Sequence, residues 1–101
     1  MNWELPANVL MNRFRAFNPW PGTFTFIPTG TKHGMLKIWE MEPAENSATP
    51  GTVISADKAG IVVACGQQAL RILAVQPEGG RRMDTAQYLA GHSLKAGASL
   101  L

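Results

Sequence analysis

The sequence is poor in the residue types that build reactive or covalently stapled sites. It has one cysteine, Cys65, so an internal disulfide is excluded and nothing points to an oxidising compartment. Alone, that thiol is expected to be a small buried hydrophobe rather than a reactive group. The two histidines, His33 and His92, together with the cysteine supply no recognisable metal-ligand pairs, so no metal is expected. No apolar run approaches the roughly 20 residues that span a bilayer, and Met1-Asn2-Trp3-Glu4 lacks the charged-then-apolar order of a signal peptide. These absences lead us to expect a cytoplasmic protein without a membrane partner. The glycines match neither the P-loop nor the dinucleotide fingerprint, which leaves phosphate cradling by a Gly-rich loop unsupported.

Catalytic constellations are missing too. Acid–base or nucleophilic chemistry needs groups that converge, yet His33 falls in a Gly-containing loop and His92 just after a glycine that should end a helix. Ser93, His92 and Asp84 could be assembled on paper into a hydrolase-type set, but any chain of this length offers such accidents. No catalytic residue and no cofactor are expected in this chain. The residues point to a binding module.

What is present fits one compact unit. At 101 residues the length prior is a single domain, and 46% apolar with 16% charged residues excludes a disordered or highly charged tail. The net charge of +2 is unevenly spread: residues 1–41 carry +2, residues 42–79 carry −2 and residues 80–101 carry +2. If the two basic ends meet in space, they make one positive patch suited to phosphates.

Pro6 suits a first helical turn, and Ala7, Leu10, Phe14 and Phe17 follow at helical spacing, predicting an amphipathic helix over about residues 6–17. It should stop near Asn18, because Pro19 pushes the preceding residue out of the helical region and Pro19-Trp20-Pro21-Gly22 imposes an extended turn. From Thr23 the pattern becomes short β-rich runs between turn residues, the mark of an antiparallel meander or small barrel over about residues 23–75. Five strands are expected: Thr23 to Ile27 with Phe24 and Phe26 on one face, Leu36 to Met41, Thr52 to Ala56, Ile61 to Cys65, and Ala69 to Val75. In the last of these Leu70, Ile72 and Ala74 should share one face, and Arg71, Leu73 and Val75 the other. Pro28 to Gly34 and Glu42 to Gly51 read as loops, and Asp57-Lys58-Ala59-Gly60 as a hairpin turn with Gly60 at positive φ. Gln76 to Met83 reads as a flexible basic loop, followed by a short helix over about 84–90 with Asp84 as N-cap and Gln87 completing a capping box before Gly91.

The residues able to bind a partner are few. Arg81 and Arg82 present adjacent guanidinium groups suited to phosphate oxygens, or simply solvated charges. Arg13 and Arg15 stand about 200° apart around the helix and cannot both face one ligand directly. Lys37 and Trp39 project from one strand face and would suit base stacking beside a charge, although such a tryptophan more often covers a barrel or packs a helix against it. Trp20 between two prolines is expected to be a packing anchor.

At Arg15-Ala16-Phe17-Asn18-Pro19-Trp20-Pro21-Gly22 the sequence resembles the segment that opens the C-terminal domain of methionyl-tRNA formyltransferases. The likeness continues in order through Leu36-Lys37-Ile38-Trp39, Pro50-Gly51-Thr52-Val53, Ala69-Leu70-Arg71-Ile72-Leu73, Gln76-Pro77-Glu78-Gly79 with Arg81-Arg82-Met83, and Tyr88-Leu89-Ala90-Gly91-His92. It covers nearly the whole chain. The resemblance implies a small mainly β barrel related to the oligonucleotide-binding fold, with an N-terminal helix and a short C-terminal one. It implies a parent enzyme that moves a formyl group from formyltetrahydrofolate to the amino group of methionine on initiator tRNA. The chemistry of that family lies in an N-terminal Rossmann-like catalytic domain, a partner whose motifs are absent here.

Carried over residue by residue, the resemblance assigns Arg15 to the family's basic helix position and Arg81 with Arg82 to its basic loop, with Lys95 as a weaker addition; Arg13 is a further candidate contact on the helix. Gly80 stands where many members carry another lysine. Two rivals stay open: the equivalent domain of a related enzyme, such as a sugar formyltransferase or formyltetrahydrofolate dehydrogenase, and a structural packing domain that touches no RNA.

Overall fold

The fold was read from a computed structural model, which describes residues 1–18, 20, 22–29 and 32–100, with backbone alone at 29, 32 and 33. The proline positions of the expected turn at 19–22 and the connection at 30–31 lie outside the described residues, as does the side chain of His33. The element order is α1 (Ala7–Phe17), β1 (Thr23–Thr29), β2 (Lys32–Ala44), β3 (Val53–Asp57), β4 (Gly60–Ala64), β5 (Ala69–Pro77), β6 (Met83–Asp84) and α2 (Thr85–Gly91). The strands form one curled antiparallel sheet in the order β1-β2-β5-β4-β3, with β6 added to β5. A mainly β fold with two flanking helices was expected. Because β5 inserts between β2 and β4, however, the path is not a simple meander.

Several expected boundaries are corrected. β1 and β2 together absorb all but residues 30–31 of the anticipated Pro28 to Gly34 loop, and His33 pairs with Pro28 inside the β1–β2 ladder. In α1 the buried face is Ala7, Leu10, Met11 and Phe14, whereas Phe17 at the last turn is 47% exposed. The shared face of Phe24 and Phe26 in β1 is the outer one. Thr25 and Ile27 point into the core, since the indole Nε1 of the buried Trp3 donates to Thr25 Oγ1 at 3.1 Å.

The central pair, β2 with β5, departs from regular pairing in a way that sorts its side chains. Ile38 opposes Val75, Glu40 opposes Ala74 and Met41 opposes Ile72, so Trp39 is the extra residue of one slip and Leu73 of a second, compensating one. An extra residue shifts the inward-outward alternation by one place. Leu36, Ile38 and Met41 are therefore all buried on β2, and Leu70, Ile72 and Val75 on β5. Val75 was expected on the opposite face from Ile72; the slip at Leu73 brings it inside. Trp39 and Glu40 both remain outside the core.

The edges β1 and β3 do not pair with each other, and the N-terminal segment fills the space between them. Trp3, only 4% exposed, bonds to β1 and packs near Gly51, whose N–H and carbonyl bond to Ala64 and Leu100. Gly66 N donates to Leu5 O and Ala7 N to Gln67 O, so residues 5–7 are tied to the β4–β5 turn. Gly66 has no room for a side chain, because a Cβ there would run into the Glu4 carbonyl. Cys65 is buried beside this junction, and burial pushes its thiol pKa up to about 11, so it is the inert thiol expected. At the other end of the chain, Asp84 accepts from Gln87 N at 2.8 Å while the Gln87 side chain accepts from Asp84 N, the capping box anticipated for α2.

Substituting Gly66→Ala should cost about 1–3 kcal/mol, because the backbone facing it cannot yield without undocking the N-terminal segment. Gly91→Ala, with open space around it in α2, should be neutral or stabilising by up to about 1 kcal/mol. Urea unfolding midpoints of the two variants would show the contrast, and equal midpoints would contradict the docking role given to residues 4–7.

Candidate nucleic-acid interface

The outer face of β2 around Trp39 carries a cluster of cations and aromatics, to which the slip adds Glu40. With Trp39 and Glu40 both turned outward, the half-buried indole lies alongside Lys37, two residues earlier on β2. Lys37 Nζ sits 4.1 Å from the Trp39 ring centroid and 6.0 Å from that of Phe24. Arg82 reaches the same indole from the other end of the sequence, with Cζ 5.1 Å from the centroid. Both cations are within the range at which an indole face attracts positive charge. Arg82 also pairs with Glu40 at 2.8 Å, each side chain about half exposed.

The expected loop at 76–83 is hydrogen-bonded to this platform, its first two residues belonging to β5 and its last to β6. Trp39 Nε1 donates to Gln76 Oε1 at 2.9 Å, and the Gln76 amide donates onward to Gly80 O at 3.1 Å. Gly80 N closes on Pro77 O, Glu78 N donates to Met35 O, and the chain then pairs as β6 with β5. The loop is therefore a short turn anchored at both ends. A shallow groove of about 310 Å³ lies beside it between Phe24, Lys37, Gln76 and Glu78.

The basic ends of the sequence thus do meet, through Lys37 and Arg82 on Trp39. Arg81 is exposed next to Arg82. The other anticipated residues are not drawn into this group. Arg15, exposed in the last turn of α1 where a cation suits the helix dipole, contacts Asn12 Oδ1 at 3.4 Å. Arg13 lines a separate groove between α1 and β1, and Lys95 lies in the segment that runs beside β3, where Gly97 N donates to Val53 O. Arg71 is compensated by Glu42 at 2.9 Å.

Glu40 and Gln76 take part in this arrangement without having been singled out in the sequence. Nothing in the linear pattern marks Glu40 as Arg82's partner, because its outward position depends on the slip at Trp39. The Ser93, His92 and Asp84 set is not assembled: Asp84 caps α2, and the His92 ring stacks on Tyr88 at 4.3 Å with Nδ1 on the Tyr88 carbonyl. Among the described residues there is no group of three or more His, Cys, Asp or Glu able to hold a metal ion, and no helix long and apolar enough to cross a membrane.

Compared with known families, residues 1–93 match the family described as the formyl transferase C-terminal domain. The chain belongs to that family. Among its relatives, methionyl-tRNA formyltransferase of Thiobacillus denitrificans is 44% identical over 100 residues, covering 99% of this chain and 32% of the relative. The enzymes so named from Burkholderia multivorans and Caldanaerobacter subterraneus are each 40% identical, over 96% and 99% of this chain and 29% and 31% of their own lengths. The chain spans about 30% of the length of the curated relatives it matches. The formyltransferase C-terminal fold anticipated from the motifs is the one observed.

Because the Arg82–Glu40 pair is half exposed, it should contribute less than about 1 kcal/mol to stability. A double-mutant cycle of Arg82→Ala and Glu40→Ala read by urea unfolding should give a coupling below that value. A larger coupling would mean that the pair is structural and that Arg82 variants cannot be used to probe binding.

Proposed function

We propose that this chain is the non-catalytic, tRNA-contacting domain of a methionyl-tRNA formyltransferase. The observation that carries the reading is the convergence of Lys37 and Arg82 on Trp39 with Arg81 exposed beside them, on a domain whose relatives bear that enzyme's name. Guanidinium and ammonium groups at an aromatic platform suit phosphate oxygens and carry little sequence information. The parent enzyme transfers a formyl group from formyltetrahydrofolate to the methionine amino group of initiator tRNA, with the chemistry in a separate Rossmann-like catalytic domain. This domain raises the parent's hold on the tRNA by adding phosphate contacts at high effective concentration. The same reading puts the protein in the cytoplasm. Arg15, Arg13 and Lys95 are secondary contacts, each separate from the Trp39 platform.

Titrating the chain with initiator and elongator tRNA across a salt series tests this. Similar affinity for both, falling roughly 100-fold between about 50 and 200 mM salt, is the result expected for about four phosphate contacts. Arg81→Ala with Arg82→Ala should weaken binding and flatten the salt dependence. No binding even at low salt would remove the tRNA role.

A second reading, not exclusive of the first, concerns the groove between α1 and β1. Phe17 and Phe26, 47% and 39% exposed, border a groove of about 320 Å³ between α1 and β1, and Trp20 just beyond is 83% exposed. Apolar surface of this kind marks a protein contact, and roughly two thirds of each relative's length lies beyond the matched part. We assign the groove to the catalytic part of the parent. Phe17→Ser with Phe26→Ser should then abolish a salt-insensitive association between this chain and the separately purified catalytic part; association untouched by the two changes would reject the assignment.

A further inference from the structure

Lys37 belongs to neither of the basic segments that the family resemblance singles out, yet its ammonium lies directly at the platform's indole. Its stem is half-buried between Phe24 and Trp39, and its ammonium lies 4.1 Å from the indole centroid. Arg82 shares that indole and pairs with Glu40. Trp39 in turn cannot rotate freely, because its Nε1 is engaged by Gln76, which also grips the turn at Gly80. The indole therefore fixes the spacing between a cation from β2 and a cation from the turn before β6.

We propose that Lys37 is a phosphate-binding residue of the tRNA interface, with Trp39 as its positioning residue and Glu40 as a brake that withholds part of Arg82's charge. The inference rests on the tRNA reading above and refines it. A compact ammonium acts as a point charge toward a phosphodiester, while the neighbouring guanidinium offers a planar fork. Held at one indole, the two can engage adjacent phosphates of an RNA backbone without ordering flexible side chains at the moment of contact, which favours binding. Glu78 lines the groove beside Lys37 and repels phosphate there, so the backbone should run along the Trp39 and Arg82 side.

The test uses this chain and labelled initiator tRNA over a salt series. Lys37→Ala should weaken binding roughly 5- to 10-fold at 0.1 M salt and reduce the log–log salt slope by about one, what the loss of one released counterion gives. Lys37→Arg should retain most of the affinity. Glu40→Gln should do the reverse of Lys37→Ala, tightening binding and steepening the slope as Arg82 is freed. Trp39→Phe, which keeps a ring but loses the bond to Gln76, should weaken binding at unchanged salt slope. Urea midpoints separate these effects from unfolding. If the wild type binds and Lys37→Ala matches it in affinity and slope, the assignment of Lys37 is overturned while the domain's tRNA role stands. If the wild type binds no tRNA at low salt, the broader reading fails first.

Discussion

The two offset slips in the β2–β5 ladder are the constraint on which the rest of the molecule depends. A strand shows alternate side chains to opposite faces, so an unbroken β2 that buried Leu36 and Ile38 would also bury Glu40 and expose Met41. Burying an unpaired carboxylate costs several kcal/mol, far more than a local bend. The extra residue at Trp39 resolves the conflict on β2, and the one at Leu73 restores register on β5, where it also admits Val75 to the core. One adjustment completes the hydrophobic interior and sets two consecutive side chains on the outer surface.

Closure of the sheet comes from a different source. The strands leave β1 and β3 unjoined, and residues 3–7 occupy the gap by pairing Trp3 with Thr25 on one side and Leu5 and Ala7 with the β4–β5 turn on the other. The last described residues arrive at the same place, with Leu100 N donating to Gly51 O and Ser99 bridging Thr52. Core, sheet edges and both ends of the described chain are thus interlocked around a few backbone groups.

Much of this was legible in the sequence wherever a local rule decides the outcome. Pro6 and Asn18 bracket α1, the hairpin at 57–60 has its Ala59 N–H on Asp57 and Gly60 at φ 135°, and the capping box at Asp84 and Gln87 forms as its residue types require. Rules of this kind failed where a distant partner sets the answer. Phe24 and Phe26 share a face of β1 as expected, but that the face is the outer one follows only from Trp3 reaching Thr25, and Val75 is parted from Ile72 by alternation until the slip at Leu73. The platform was half readable: Lys37 and Trp39 follow from strand alternation and Arg82 from its glycine-rich surroundings, but their meeting depends on tertiary pairing. Glu40 gave no signal, because a bulge has no fixed residue signature and only the bulge turns it outward.

The environments of the three tryptophans have a practical side. Trp3 is sealed in the core, Trp20 stands almost fully in solvent, and Trp39 lies between a lysine and an arginine at the surface. Native emission is therefore a composite of an apolar, an aqueous and a cation-flanked indole. Iodide should reach Trp20 while Trp3 stays dark to it, and any anion that draws Lys37 or Arg82 aside changes the field at Trp39 alone. The domain carries its own optical probes of core integrity, solvent exposure and surface occupancy, without a label.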